Sequence, residues 1–266
     1  MDSRPQHLII EPTGIGEVLD TGIRLGRQNY GFLLRIAAWG TIPAAVFDAI
    51  ANAAGLSQEQ GAAEIAASVL GRLAFAVLAA VASIAVARAA AHLIDPSVSF
   101  TGTGQAYSAA LGRFLPVLLL TIVVVLAAVP LIIVLPLGIY ILVRWSQSWL
   151  ALVLEPIGPL GALRRSWQLT ARSWWHTAVV LFTAGLILGV ISAVLGAAFG
   201  AVGGLSGFLA GGPFTAAYLA ALGQMLSSLL LTPFSIAIYV VLYYELRARE
   251  EGFDLVQRAI LVGTGR

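Results

Sequence analysis

Long apolar segments alternate with short polar ones along most of this chain. A helix that crosses a bilayer needs about 20 mainly apolar residues, and six segments reach that length. We therefore predict membrane spans at 30–51, 65–91, 114–132, 136–155, 177–202 and 215–243. The helix-breaking residues Pro130 and Pro136 separate the third span from the fourth, and the Gly-rich segment 203–213 separates the fifth from the sixth.

A polar, amphipathic lead precedes each pair of spans, at residues 13–34, 101–120 and 158–181. Each lead starts with small residues and carries an arginine shortly before the apolar run, which is typical of a helix lying in the membrane interface. The pattern predicts an all-α integral membrane protein with six transmembrane helices. They form three hairpins, each preceded by a cytoplasmic interfacial amphipathic helix. The alternative is that three unrelated loops resemble one another through biased composition.

The same pattern divides the chain into three parts. We expect a flexible N-terminal tail at 1–12, a membrane domain with several spans at 13–251, and a short cytoplasmic C-terminal helix or tail at 252–266. Near the end of the membrane domain, Glu245 and Arg249 have the i,i+4 spacing of a helical ion pair. The acidic N-terminal residues also make a cleavable signal peptide unexpected.

Composition restricts the class of protein further. Apolar residues make up 59% of the chain and charged residues only 11%, with a mean hydropathy of +0.91. A soluble domain carries about 25% charged residues, so a soluble enzyme is excluded. The net charge of +2 is too small to indicate a nucleic-acid partner. Because the chain has no cysteine, disulfides, thiolate metal sites and cysteine nucleophiles are excluded as well.

The basic residues predict an orientation. All 15 are arginines, and with the N-terminus inside, the six-span arrangement leaves only Arg72 on the outer side. That asymmetry is what the positive-inside rule expects, and it puts both termini in the cytoplasm. The third lead contributes a predicted cytoplasmic interface, which consists of Arg164, Arg165, Trp167 and Arg172.

Arg144 is an exception, because it lies inside the fourth predicted span, about 16 Å from its inner end. An ionised side chain at that depth is costly and marks a candidate functional site. Tyr140 and Trp145 flank it and are expected to provide cation–π contacts, so the three residues form a candidate polar or headgroup site. The alternative is a structural anchor, which reaches cytoplasmic headgroups or pairs with a carboxylate such as Glu245.

Small residues recur at steps of mostly four along the fifth span. The glycines of this stripe are Gly185, Gly189, Gly196 and Gly200. Such a stripe lets another helix approach closely, so it predicts a helix-packing ridge. The partner is either another helix of this chain or a second copy in a homo-oligomer.

Residues that carry enzyme chemistry are sparse. The histidines His7, His92 and His176 lie in separate regions without metal-ligand spacing, and the latter two are expected to be wet interface residues. No nucleophile elbow, dinucleotide fingerprint or phosphate-binding loop is present. We therefore expect no catalytic, metal or cofactor-binding residues, no cofactor and no enzymatic activity.

Three segments carry a resemblance to a known family. They are IGEVLDTGIRLGRQNYGFLL at 15–34, LEPIGPLGALRRSWQLTARSWWHTAVVL at 154–181 and LYYELRAREEGFDL at 242–255. In these segments the chain resembles the bacterial glycerophosphoryl diester phosphodiesterase membrane-domain family and related uncharacterised multi-pass proteins. The resemblance implies a bacterial inner-membrane location. It covers the membrane domain alone and not the metal-binding catalytic domain that some members carry, so it does not imply phosphodiesterase activity.

These observations predict a non-enzymatic multi-pass inner-membrane protein, which acts as a scaffold or accessory subunit for envelope processes or a larger membrane complex. Its expected partners are membrane lipids and either another protein or a second copy of the chain. The alternative is a small-solute or lipid transporter or channel with a polar site near Arg144. An intramembrane lipid-modifying enzyme is a weaker third hypothesis, because paired acids and histidines within reach of one another are lacking.

Overall fold

A computed structural model describes residues 13–54, 62–95, 97–98, 102–131, 135–206 and 212–252. Within these ranges the chain is helical apart from short connections, and no β-strand occurs. The helices are α1 (Ile15–Gln28), α2 (Tyr30–Ala54), α3 (Ala62–His92), α4 (Thr103–Leu131), α5 (Leu135–Trp145), α6 (Ser148–Leu154), α7 (Pro159–Leu169), α8 (Trp174–Ser206) and α9 (Gly212–Glu251). The predicted all-α class is confirmed.

Helices that could cross a membrane account for much of the described chain. By length and composition, four described segments qualify, and they are Thr103–Ala127, Pro136–Leu154, Trp174–Val202 and Leu226–Glu251. A shorter apolar helix covers Ala76–His92. The predicted first and second spans fall on α2 and α3, where the side chains of residues 44–75 lie outside the described part.

The predicted interruptions between the third and fourth spans and between the fifth and sixth fall largely on residues 132–134 and 207–211, which lie outside the described part of the chain. Helix α4 ends at Leu131 and α5 begins at Leu135, whereas α8 ends at Ser206 and α9 begins at Gly212. Gly252 follows α9 with a φ of 64°, a left-handed conformation that favours glycine at a helix C-terminus. The tail predicted at 1–12 and the helix predicted after residue 252 lie outside the described residues.

The three predicted leads differ from one another. The first is a separate helix, α1, and the third contains another, α7. The second is not separate, because α4 runs without a break from Thr103 to Leu131. Helix α4 continues through Gly112 and Pro116, where the amphipathic part meets the apolar part, so neither residue ends it.

The chain divides into two compact units by its internal packing. The first comprises Met1–Tyr30, Ile84–Ala184 and Phe234–Arg266, and the second comprises Gly31–Ser83 and Gly185–Pro233. In the second unit α9 approaches α8 so closely at Gly223 that a Cβ atom there would overlap the side chain of Phe199. Glycine permits this contact, as small residues do between membrane helices.

Within the first unit we define the helical head as α1, Ile84–Asp95, α6 and α7 with the turn between them, and Phe234–Glu251. Its interior is apolar, and the fully buried side chains include Ile84, Ile94, Leu150, Leu152, Val240 and Leu242. Its exterior carries charge, since α1 exposes Glu17, Asp20, Arg24 and Arg27. An apolar interior beneath a charged face is the arrangement of helices that border water. By contrast, α4 exposes large apolar residues such as Leu115 and Leu126.

Helix α1 packs antiparallel on the C-terminal half of α9. A Cβ atom at Gly22 would lie 2.7 Å from Ile238 Cγ1, and one at Gly26 would lie 2.9 Å from Phe234 Cδ1. At the other end of the pair, Arg249 donates to the carbonyl oxygen of Thr13. The prediction that the apolar side of this lead lies in the lipid interface is therefore wrong, because that side is buried within the protein. Two glycines one turn apart let α9 cover it.

Candidate functional site

The fourth apolar helix is broken near its middle. Helix α5 ends at Trp145 and α6 begins at Ser148, so the usual backbone hydrogen bonds are interrupted between them. Ser166 on α7 binds backbone groups on both sides of the break. Its Oγ donates a hydrogen bond to the carbonyl oxygen of Arg144 at 2.6 Å and accepts one from the N–H of Gln147 at 3.2 Å. Sequence reasoning missed this break because residues 139–154 contain neither glycine nor proline. The polar triplet Ser-Gln-Ser at 146–148 was the available signal.

Helix α7 folds back along α6 after a short turn. The side chains of Leu150, Ala151, Leu152 and Val153 on α6 are completely buried. The apolar run that follows Arg144 therefore belongs to the protein interior rather than to a lipid-facing surface. Hydropathy cannot distinguish the two environments, because lipid tails and a protein core select the same side chains.

Arg144 lies at the end of α5 and is 9% exposed. Its Nη2 and Nε donate to the hydroxyl of Tyr140 at 2.7 and 3.1 Å, and its Nη1 donates to the carbonyl oxygen of Trp167 at 3.4 Å. The Cζ atom also lies 5.1 Å from the ring centroid of Tyr140 and 5.1 Å from that of Trp167. The guanidinium is thus held by two aromatic rings and by neutral acceptors.

The predicted surroundings of Arg144 are present in part. Tyr140 makes the expected contact, whereas Trp145 makes none with Arg144 in the described structure. Trp167, which was predicted to lie at the cytoplasmic interface, provides the second cation–π contact with Arg144. Trp174 stacks on Tyr140 with ring centroids 5.5 Å apart and donates from Nε1 to the Tyr140 carbonyl oxygen. Arg144 therefore lies beside the junction of α7 and α8, close to the start of an apolar helix.

A second polar cluster joins α6, α7 and α9. Arg165 contacts Glu155, with its Nε 3.0 Å from each carboxylate oxygen, and also pairs with Glu251. Tyr243 donates to Glu155 Oε1 at 2.6 Å, and Arg247 pairs with Glu251 at 3.2 Å. The hydrogen bond to Glu251 is the main cause that raises the pKa of the Arg165 guanidinium above its ordinary value. The cluster therefore links α7 and the residue after α6 to α9 through ion pairs and hydrogen bonds, which is a structural role.

The residues of the predicted cytoplasmic interface do not all lie at the surface. Arg164 and Arg172 are exposed, and Trp167 is 40% exposed. Arg165 instead turns inward to the carboxylates. The difference follows from position on α7, because neighbouring residues of a helix point about 100° apart.

Glu245 is the most buried carboxylate of the helical head, with no exposed surface. It pairs with Arg249 one turn later, which confirms the predicted i,i+4 ion pair. His176 approaches its other oxygen, with Nε2 3.4 Å from Oε2. The alternative in which Glu245 pairs with Arg144 is therefore wrong. The expectation of a wet His176 is also wrong, because its side chain is only 13% exposed.

Further hydrogen bonds tie the remaining helices of the head together. Arg88 on α3 donates to the carbonyl oxygen of Val153 on α6 at 3.2 Å. Tyr244 on α9 donates to Asp95, just after α3, at 3.3 Å. These bonds link elements that are distant in sequence, so the polar groups of the head form an internal framework.

The predicted ridge on α8 is exposed at three of its glycines. Apart from their own turns of α8, no described atom lies within 4 Å of a Cβ placed at Gly185, Gly189 or Gly200. Gly196 is half-buried. The described residues of this chain thus leave the stripe uncovered at those three positions, and a second copy as its partner stays a prediction.

The described residues include no group of three or more His, Asp or Glu side chains placed to hold a metal ion. What they do provide is a set of paired charges in the head and one buried cation, Arg144, that contacts only neutral groups. Comparisons of the chain with protein-family models, with curated proteins and with solved structures found no match.

Proposed function

We propose that this chain is a non-enzymatic multi-pass protein of the bacterial inner membrane, which acts as a scaffold or accessory subunit of a larger membrane complex. In this proposal six helices cross the bilayer, and the helical head, which includes the inner ends of the second, fourth and sixth predicted spans, lies at the cytoplasmic boundary of the membrane. The resemblance to the phosphodiesterase membrane-domain family supports the location. The four apolar helices of the described chain support the membrane assignment.

Two observations support this orientation. Arg249 donates to the carbonyl oxygen of Thr13, so the start of α1 and the end of α9 lie together. Adjacent ends favour termini on one side of the membrane and hence an even number of spans. The head also exposes Arg24, Arg27 and Arg164, and arginines near span ends are retained on the cytoplasmic side.

The observation that carries the scaffold role is the way in which the head uses its charges. Arg165 binds both Glu155 and Glu251 within the head, and Arg249 binds Glu245. The charged face of α1 is left free on the outside. A stiff framework with an exposed charged face suits a docking platform for another protein, because little ordering entropy is lost when a rigid surface binds.

The test is affinity purification of the full-length tagged protein in a mild detergent. A scaffold is expected to retain a partner in stoichiometric amount, and the variant Arg24→Glu is expected to lose it. Arg24 forms only an exposed pair with Asp20, so the variant is expected to keep its melting temperature. The matched control is Arg172→Glu, which reverses an equal charge at an exposed position outside α1. Partner binding that is equal in both variants would contradict a role for the α1 face.

A transporter for small solutes or lipids is the second candidate, and one observation favours it. The break between α5 and α6 lies within an apolar helix, and transporters often build their substrate sites at such breaks. Arg144 adjoins the break. Solute uptake into proteoliposomes that is lost in Arg144→Gln would support this candidate over the scaffold.

A further inference from the structure

Arg144 is a buried cation that lacks a counter-ion in the described part of the chain. Its hydrogen-bond acceptors there are the Tyr140 hydroxyl and the Trp167 carbonyl oxygen, both neutral. Three carboxylates of the head bind other arginines: Glu155 and Glu251 bind Arg165, and Glu245 binds Arg249. A buried charge is stabilised best by an opposite charge, so the environment of Arg144 favours an anion from outside the chain.

The groups around Arg144 are suited to a phosphate. A guanidinium has five N–H donors in one plane, and the bonds to Tyr140 and Trp167 leave two of them unassigned. The indole N–H of Trp167 makes no hydrogen bond to the described residues, and its ring is 40% exposed. Arginine binds phosphate oxygens through two parallel hydrogen bonds, and an indole N–H is a further donor for such oxygens.

The surface next to Arg144 indicates that this phosphate belongs to a lipid. Leu137 precedes Arg144 by seven residues, so it lies two turns away on the same face of α5, and it is 47% exposed. An acyl chain can follow this apolar face while its headgroup remains at Arg144. Trp175, which is 76% exposed at the start of α8, is the kind of residue that marks headgroup depth.

We propose that Arg144, with the Trp167 indole, binds the phosphate of an anionic glycerophospholipid. A net negative headgroup complements the single positive charge, whereas a zwitterionic one brings its own ammonium group toward Arg144. This inference is independent of the scaffold role, since lipid binding requires no protein partner. Loss of lipid binding and loss of a protein partner are therefore separate results.

The test measures binding of dioleoylphosphatidylglycerol to the delipidated full-length protein by native mass spectrometry. Dioleoylglycerol, which has the same chains without the phosphate, and inorganic phosphate are the two comparison probes. The wild type is expected to bind phosphatidylglycerol roughly tenfold more tightly than dioleoylglycerol. Arg144→Gln is expected to remove this preference, and Arg144→Lys to retain part of it, because lysine keeps the charge without the planar donors.

Arg164→Gln is the matched control, since it removes an equal charge from an exposed position on α7. It is expected to bind as the wild type does. If Arg144→Gln fails to fold, Trp167→Phe replaces it, with Trp145→Phe as control, and only the former is expected to weaken binding. Equal lipid affinity in the test and control variants would overturn the proposal. Inorganic phosphate that displaces the lipid from the wild type would overturn its assignment to a lipid headgroup.

Discussion

The hydroxyl of Ser166 lies 2.6 Å from the carbonyl oxygen of Arg144 and donates a hydrogen bond to it. The same hydroxyl accepts a hydrogen bond from the backbone N–H of Gln147. One side chain on α7 therefore satisfies backbone groups on both sides of the break between α5 and α6. Because Ser166 and Gln147 are completely buried, water cannot take over this role, and the break depends on α7 being in place.

Ser166→Ala is expected to destabilise the protein by about 1–3 kcal/mol, because it leaves buried backbone groups without a partner. The measurement is thermal unfolding of the purified protein in detergent. Ser108→Ala on α4 is the control, since that serine is exposed and is expected to change stability little. Equal melting temperatures for the two variants would show that α7 does not support the break in this way.

Gly22→Ala is expected to loosen the pairing of α1 and α9. The added methyl would lie 2.8 Å from the backbone Cα of Ile238, so the helices must separate, at a cost of about 1–3 kcal/mol. Gly16→Ala on the same helix is the control, because nothing lies within 4 Å of its Cβ position. There the better helix propensity of alanine is expected to leave stability unchanged or slightly higher. Similar losses in both variants would contradict the close approach.

The helices themselves could be predicted from sequence more easily than their surroundings. Apolar length predicted six spans, and four described segments are long and apolar enough to cross a membrane. The amphipathic pattern also identified α1 and α7. It could not show whether lipid or protein covers the apolar side of α1, because both environments select the same residues. The decisive contacts, at Gly22 and Gly26, join positions more than 200 residues apart.

Arg165→Gln is expected to destabilise the protein by about 1–3 kcal/mol, since it removes hydrogen bonds to Glu155 and Glu251. Arg164→Gln, which changes an exposed neighbour, is expected to stay within about 0.5 kcal/mol of the wild type. Comparison of the two melting temperatures by circular dichroism gives the result. An equal loss of melting temperature in both variants would indicate a general effect of charge on α7 rather than the specific bonds of Arg165 to Glu155 and Glu251.

The contribution of Arg165 is also expected to be insensitive to pH. Its pKa in the folded protein is raised by Glu251, and a raised pKa stabilises the folded state at every pH below the unfolded value. For arginine that value exceeds about 12, so the guanidinium stays charged between roughly pH 6 and pH 9. The difference in melting temperature between the wild type and Arg165→Gln is expected to stay constant over this range. A difference that disappears as the pH rises would contradict the assignment.

Gln147→Met is expected to leave the protein as stable as the wild type or more stable. Neither side-chain amide atom of Gln147 has a hydrogen-bond partner among the described residues, although the side chain is completely buried. Replacing such a group with an apolar one of similar shape removes a desolvation penalty. Gln168→Met on the exposed face of α7 is the control for general effects. A large loss of thermal stability confined to Gln147→Met would indicate that the amide binds a water molecule or ligand.

Arg144 illustrates where hydropathy is least informative. The sequence put it deep in a span, because the predicted span continues for eleven positions beyond it, to residue 155. In the structure those residues are covered by α7, and Arg144 lies beside the start of α8. The polar triplet after it was the only local sign of a break, and the role of Ser166 depends on a contact across 22 positions. Such a contact cannot be inferred from a single sequence without knowing the path of the chain.

The orientation of the helical head is the central claim, and single-cysteine labelling tests it most directly because the chain has no native cysteine. The variants are Asp20→Cys on the exposed face of α1 and Gln168→Cys on α7, with Leu126→Cys on the apolar face of α4 as control. A membrane-impermeant maleimide is added either to intact spheroplasts or to inside-out vesicles. The first two variants are expected to label only in inside-out vesicles, and the third in neither preparation until detergent is added. Labelling of Asp20→Cys in intact spheroplasts, or its protection in both preparations, would contradict a cytoplasmic head.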